Sequence, residues 1–315
     1  MKHIWGILGI VAAVLLGGYF IWFAANSIDL DFLWSLLTPL VLSALLAAAL
    51  LYAAIIPLTG WAWARLLAGQ GETWPASWLT AVLAVTQLAK YVPGNIAQHA
   101  GRSGLALRKG MTAKALAVTV VQETILTIAA SVIVGMTLLA ASKPGLAQLP
   151  ESSHAALVWL VPILLLAVLI LASVHLSPAR LAESPRWILR MLGQVGGLPG
   201  ARIALPALAA YALNYVLIGI GLWLLASAAG LSAMLDLPLV TAAFALSWLL
   251  GFLAPGAPAG LGVREGILVV LLSGTASDGH LLAFVLLARL ATMLGDAINF
   301  ILGTLWFAFT RRVVQ

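Results

Sequence analysis

Polar positions are so sparse along this chain that the apolar runs between them define it. Predominantly apolar stretches cover roughly 4–25, 36–58, 114–140, 155–176, 203–228 and 280–309, each long enough for the ~20 helical residues that cross a bilayer. Two further segments, 75–108 and 237–273, follow another pattern. Each holds an apolar arm, a Pro-Gly break at 93–94 or 255–256, and a second arm of about fifteen residues. A fifteen-residue helix rises ~22 Å, short of a ~30 Å hydrocarbon core. The pattern therefore predicts re-entrant helical hairpins, each entering and leaving on one side. Irregular backbone at that depth is tolerated only inside protein or along a wet cavity.

Composition agrees with this reading: 63% of residues are hydrophobic and 8% are charged, and the mean hydropathy is +1.10. A soluble globule carries about three times that share of charge. The prediction is all-α, with residues 1–315 forming a single integral membrane domain. The absence of cysteine removes disulfides and thiol ligands. His3, His154, His175 and His280 lie near span ends without metal-ligand spacing, so no metal and no cofactor is expected. Ile4 to Phe23 is long for a signal-peptide core and reads as an uncleaved first helix, with Ala24-Ala25 as the cleavage alternative.

Charge placement orients the chain. With the N-terminus inside, the cytoplasmic flanks hold Lys2, Arg65, Arg108, Lys109, Lys114, Arg180, Arg186, Arg190, Arg202, Arg311 and Arg312. The outer loops hold Lys143 with Asp29, Asp31, Glu151, Asp236 and Asp278. That asymmetry satisfies the positive-inside rule, places both termini in the cytoplasm and accounts for the pI near 10.0 without nucleic acid. Segment 177–202, basic and interleaved with Trp187 and leucines, reads either as a headgroup-level amphipathic stretch or as a topology loop. On this layout the first hairpin opens inward and the second outward. Repeat A (about 36–140) and repeat B (about 203–309) are then related by inverted topology, as in secondary transporters.

The hairpins also carry charge where it is costly. Of four Pro-Gly pairs, only Pro93-Gly94 and Pro255-Gly256 are followed nine positions later by an arginine, Arg102 and Arg264. Arginine at bilayer depth costs ~2.5–3.5 kcal/mol on insertion scales and pairs or serves a substrate; its planar fork suits a phosphate. Lys90 precedes the first break, and helices restarting after Gly94 and Gly262 would aim free amides at an anion. The bland alternative is internal pairing with Glu123, Glu265 and Asp296. Counting Lys90, Arg102, Arg264 and Arg289 against those three acids leaves one cation in surplus. A buried Glu123, Glu265 or Asp296 is also a candidate for a coupling proton.

Three stretches bear on enzyme or nucleotide chemistry. Gly101-Arg102-Ser103-Gly104 has the spacing of an intramembrane serine protease, but neither His99 nor His280 is placed as its base. The glycine-rich stretch from Gly256 through Gly260 to Gly262 does not follow a strand, which excludes a nucleotide-binding loop. Asp29 and Asp31 fit a glycosyltransferase using a lipid-linked sugar, although the large external loops of such enzymes are missing.

Lys90-Tyr91-Val92-Pro93-Gly94 with Gln98, Arg102 and Gly110, then Pro255-Gly256, Gly260-Leu-Gly-Val-Arg264-Glu265-Gly266, resemble the lysylphosphatidylglycerol synthase transmembrane-region family over nearly the whole chain. Ala257-Pro258-Ala259 departs from a tighter Pro-Gly-Gly-Leu-Gly pattern. The soluble aminoacyl-transferase domain is not in the sequence. The resemblance implies a flippase without lysyl transfer, in the cytoplasmic (inner) membrane. Its substrate would be an anionic lipid or polyprenyl-phosphate-linked sugar, held by Lys90, Tyr91, Gln98, Arg102, Arg264, Glu265 and Arg289 and moved by alternating access. The alternatives are the glycosyltransferase itself, or a non-transporting partner of a separate one.

Overall fold

The computed structural model describes residues 36–91, 97–142, 199–231, 235–254, 258–273 and 275–313. The expected spans 4–25 and 155–176, the basic segment up to residue 198, Asp29, Asp31, and the breaks at Pro93, Gly94, Pro255 and Gly256 lie outside them. The described residues are helical, with no strand.

Four helices are long and apolar enough to cross a membrane: residues 39–68, 113–141, 201–228 and 279–310. The first consists of α1 (Pro39–Ala53) and α2 (Ile55–Ala68), parted at Ala54. Pro57 accounts for that kink, because its ring has no N–H and crowds the carbonyl four residues back. The span therefore runs ten residues past the expected end at 58. Trp61, Trp63 and Arg65 resemble an interfacial boundary in sequence, but Trp63 is fully buried. Thr38 caps α1, accepting from the Val41 amide at 3.3 Å.

Next come α3 (Ala76–Thr86), a 3-10 turn at Gln87–Tyr91, and α4 (Ala97–Arg108). α5 (Ala113–Ala141) and α6 (Ala201–Ala228) are full spans. α7 (Leu237–Leu253) leads through a 3-10 turn at Pro258–Gly260 to α8 (Val263–Leu272), and α9 (Asp278–Val313) closes the chain. Asp236 caps α7 by accepting from the Leu239 amide at 2.8 Å. The second arms hold 12 and 10 residues, fewer than the expected fifteen, because the restart falls later than the Pro-Gly pair.

The packing crosses between the two halves. α3 lies against α2 and α9, whereas α7 lies against α6 and α5. The first arm of each broken pair is thus seated on the last span of the other half. Small residues permit close approach, as in lipid-embedded bundles. A β-carbon on Gly60 of α2 would stand 2.9 Å from Thr80 Cα. One on Gly219 of α6 would stand 2.6 Å from Thr241 Cβ. Thr80 and Thr241 are each the fifth residue of their helix.

At one end of the bundle the segments flanking α3 and α4 meet. Glu72 accepts from the Thr112 amide and from Trp74 Nε1, both at 3.0 Å. Gly69 lies against Ile203 at the same end, so α2, α3, α4, α5 and α6 all begin or finish there, with Arg65, Arg108, Lys109 and Arg202 exposed.

Candidate functional site

The charged residues of the interior sit on the short elements and on the spans those elements touch. Lys90 and Tyr91 close the 3-10 turn after α3; Gln98 and Arg102 are on α4; Arg264 and Glu265 open α8. Glu123 lies on α5, and Arg289 and Asp296 lie on α9.

Three ion pairs join these elements. Lys90 Nζ stands 2.7 Å from Asp296 Oδ1. Asp296, fully buried, also accepts from Gln87 Nε2 at 3.2 Å and from Tyr91 Oη at 2.6 Å. Lys90 donates in addition to Tyr52 Oη at 3.1 Å. Such saturation is what a buried carboxylate requires. Arg102 Nη1 pairs with Glu123 Oε2 at 2.7 Å, and Arg289 Nη1 with Glu265 Oε1 at 3.1 Å. In both halves the second short arm is thereby tied to the following span, with the charges exchanged.

Arg264 is different. Among the described residues it makes no ion pair; its guanidinium lies over the Phe244 ring, 4.3 Å from the centroid. Glu265, its neighbour in sequence, points elsewhere and spends Oε2 on the Gly262 amide at 2.8 Å. Arg264 and Glu265 therefore form no ion pair with each other, and the Gly262 amide just before α8 is taken by the protein itself. Gly262 (φ 79°) and Gly260 (φ 69°) adopt left-handed backbone, and so does Ala259 (φ 48°). A left-handed alanine is disfavoured, at a place where a tighter glycine pattern is expected.

Arg264 opens onto a cavity of about 150 Å³ lined by residues of both broken pairs, including Gln98, Gly260, Arg264, Arg289 and the Lys90–Asp296 pair. A second cavity of about 190 Å³ adjoins it and shares Tyr52, Lys90, Gln98, His99, Glu123, Thr127 and Trp248. Arg102 lines this second space. Of the predicted residues, Lys90, Tyr91, Gln98, Arg264, Arg289, Glu123 and Asp296 meet at the first cavity. Glu265 lies behind it, at a small gap between Arg264 and Arg289.

Several lining residues are additional to the sequence expectation: Tyr52, His99, Thr124, Tyr211, Asn214 and Trp248. Tyr52 and Asn214 carry a readable signal, as polar interruptions in apolar spans. Trp248 does not, since one more aromatic in an apolar helix is ordinary. Among the described residues no cluster of histidine and acidic side chains fits a metal ion.

A family model for the lysylphosphatidylglycerol synthase TM region matches residues 10–298. The chain belongs to that family. No curated protein matches it. Membership makes this lysylphosphatidylglycerol synthase TM-region protein an integral membrane protein, and the match spans both broken pairs and every residue of the charged site.

Proposed function

We propose that this protein is a transporter, not an enzyme, and moves an anionic lipid or a polyprenyl-phosphate-linked sugar between the leaflets of the cytoplasmic membrane. The observation that carries the reading is Arg264, a cation with no acid partner among the described residues, facing a cavity between the two broken pairs. Three neighbouring ion pairs neutralise one another, so one positive charge is left for an anion. Arg289 reinforces it, because Nε and Nη2 are buried without partners. A guanidinium fork matches phosphate oxygens, while the lipid tails stay in the bilayer.

The exchanged packing of α3 on α9 and α7 on α5 supports two opposed hairpins related by an inverted repeat. The contact of Glu72 with Thr112 supports re-entrance of the first. Since α6 leaves the end where Arg65 and Arg202 gather, the second hairpin starts from the opposite end. Alternating access then consists of one hairpin loosening while the other stays seated. We place the basic end, and both termini, in the cytoplasm. Glu123, Glu265 and Asp296 serve as counter-charges that hold the arginines when the site is empty, and any of them can take a coupling proton.

The test is lipid movement in proteoliposomes with labelled phosphatidylglycerol and labelled phosphatidylcholine. Wild-type protein moves the anionic lipid faster, and Arg264→Gln slows it by about ten- to hundred-fold, the worth of one charged contact. Equal movement of both lipids, unchanged by Arg264→Gln, overturns the reading.

A further inference from the structure

The two second arms are clasped to their spans by ion pairs of opposite sense, and the two clasps are unequal. Arg102 of α4 meets Glu123 of α5 at 2.7 Å, and Glu265 of α8 meets Arg289 of α9 at 3.1 Å. α8 also buries Leu268 and Leu272, and Glu265 holds its start through the Gly262 amide. α4 has far less to seat it. Of its 12 residues only Arg102 and Ala106 are buried. Arg102 has no hydrogen-bond partner on Nε or Nη2, and its guanidinium otherwise lies over the Trp63 ring, 5.1 Å from the centroid. Among the described residues Glu123 is the acid on which that seat depends.

The three embedded acids also differ in their access to a proton. Asp296 has no exposed side-chain surface and accepts from Lys90, Gln87 and Tyr91. Glu265 is 5% exposed and holds both Arg289 and an amide. Glu123 is 15% exposed and lines both cavities. Its Oε2 is enclosed against Arg102, which leaves Oε1 for a proton from cavity water. Glu123 stands about 15 Å along α5 from Ala113, near the middle of a ~30 Å hydrocarbon core. Arg102 and His99 of α4 and Tyr211 of α6 lie within reach of its charge. Tyr52, Tyr215 and the Lys90–Asp296 pair line the same spaces, with Tyr91, Arg264 and Arg289 beyond them. α7 brings no titratable group, and Arg65 of α2 is exposed at the basic end. His99 is the rival, since histidine is the residue type that titrates near neutrality.

We propose that Glu123 is the proton site of the transport cycle and that its protonation unclasps α4. The inference rests on the transport reading and selects one acid of three. A neutral Glu123 strands Arg102, 3% exposed, as a lone cation in low dielectric. With so little buried surface, α4 is the element that moves to rehydrate it. The first hairpin then answers to a proton and the second to the anion, so the two ligands act on opposite gates of one cavity.

The chain has no cysteine, so a single introduced thiol reports on α4. Ala106→Cys is at a fully buried position and Ala100→Cys at an exposed one on the same helix. The ratio of their maleimide labelling rates is read in full-length protein reconstituted in liposomes. It is expected to rise several-fold from about pH 8 to about pH 5, to be high and flat in Glu123→Gln, and to keep its slope in His99→Gln. Should Glu123→Gln fail to fold, Glu123→Asp decides: the slope shifts along the pH axis if this carboxylate titrates and stays in place if another group does. A flat wild-type ratio overturns the proposal, as does a slope that survives Glu123→Gln or disappears in His99→Gln. An imposed pH gradient is also expected to bias the movement of labelled phosphatidylglycerol until a protonophore is added; a slope without that bias overturns the role in the cycle. A flat ratio with Arg264→Gln still slowing that lipid leaves the phosphate reading intact. A Glu123-dependent slope with no lipid preference and a silent Arg264→Gln removes the phosphate reading and keeps the clasp.

Discussion

Lys90 and Asp296 are 206 positions apart in the chain and 2.7 Å apart in space. Their contact fastens the end of the first short arm to the middle of the last span. Breaking one side of a buried pair costs about 3–5 kcal/mol, because a lone charge remains in low dielectric. Asp296→Asn is therefore expected to lower the detergent melting temperature sharply, and Lys90→Met comparably. The double variant Lys90→Met with Asp296→Leu recovers most of the loss. Additive losses in that cycle would show that the contact contributes nothing.

Arg264 and Arg289 share a cavity but answer oppositely to removal. Arg289→Gln strands Glu265 and is expected to destabilise by about 3 kcal/mol. Arg264→Gln removes a cation with no acid partner among the described residues, so it changes stability by less than about 1 kcal/mol while transport collapses. Thermal unfolding of both variants beside the transport assay separates the two roles. Equal destabilisation would contradict the assignment of Arg264.

The two glycine contacts differ in what they press against. Gly219→Ala meets only the Thr241 side chain, whereas Gly60→Ala meets Thr80 backbone atoms as well. Both cost about 1–3 kcal/mol by overpacking. Thr241→Ala recovers much of the first loss, and Thr80→Ala recovers less of the second because the Thr80 backbone contacts remain. Melting temperatures of the four single and two double variants decide it.

Glu72 lies outside the spans, and its carboxyl is held below the ordinary value of 4.5 by hydrogen bonds from the Trp74 indole and the Thr112 amide. A depressed carboxylate stabilises the fold above the unfolded value and loses that contribution as pH falls through the folded one. Melting curves between neutral and acid pH should therefore drop for wild-type protein below pH ~4.5. In Glu72→Gln they start lower and show less of that fall.

Much of the site was legible because embedded charge is scarce enough to count. Four cations against three acids leave a surplus of one, and the structure assigns it to Arg264. The short arms were legible from their lengths. Partner choice was not, because consecutive residues on a helix point about 100° apart; hence Glu265 reaches Arg289 rather than Arg264. The span over 39–68 was cut short in sequence because Trp63, which is buried, and Arg65, which is exposed, together carry the composition of a membrane boundary. Asn214 and Tyr211 were hidden for a simpler reason: only the fold shows which polar atoms have no partner.

Glu265 holds the Gly262 amide with one oxygen and Arg289 with the other. The turn that starts α8 and the side chain of α9 are therefore a single mechanical coordinate. On the proposed reading, an anion that draws Arg289 away from Glu265 would either leave Glu265 to the Gly262 amide alone or pull the start of α8 with it, coupling capture to backbone displacement.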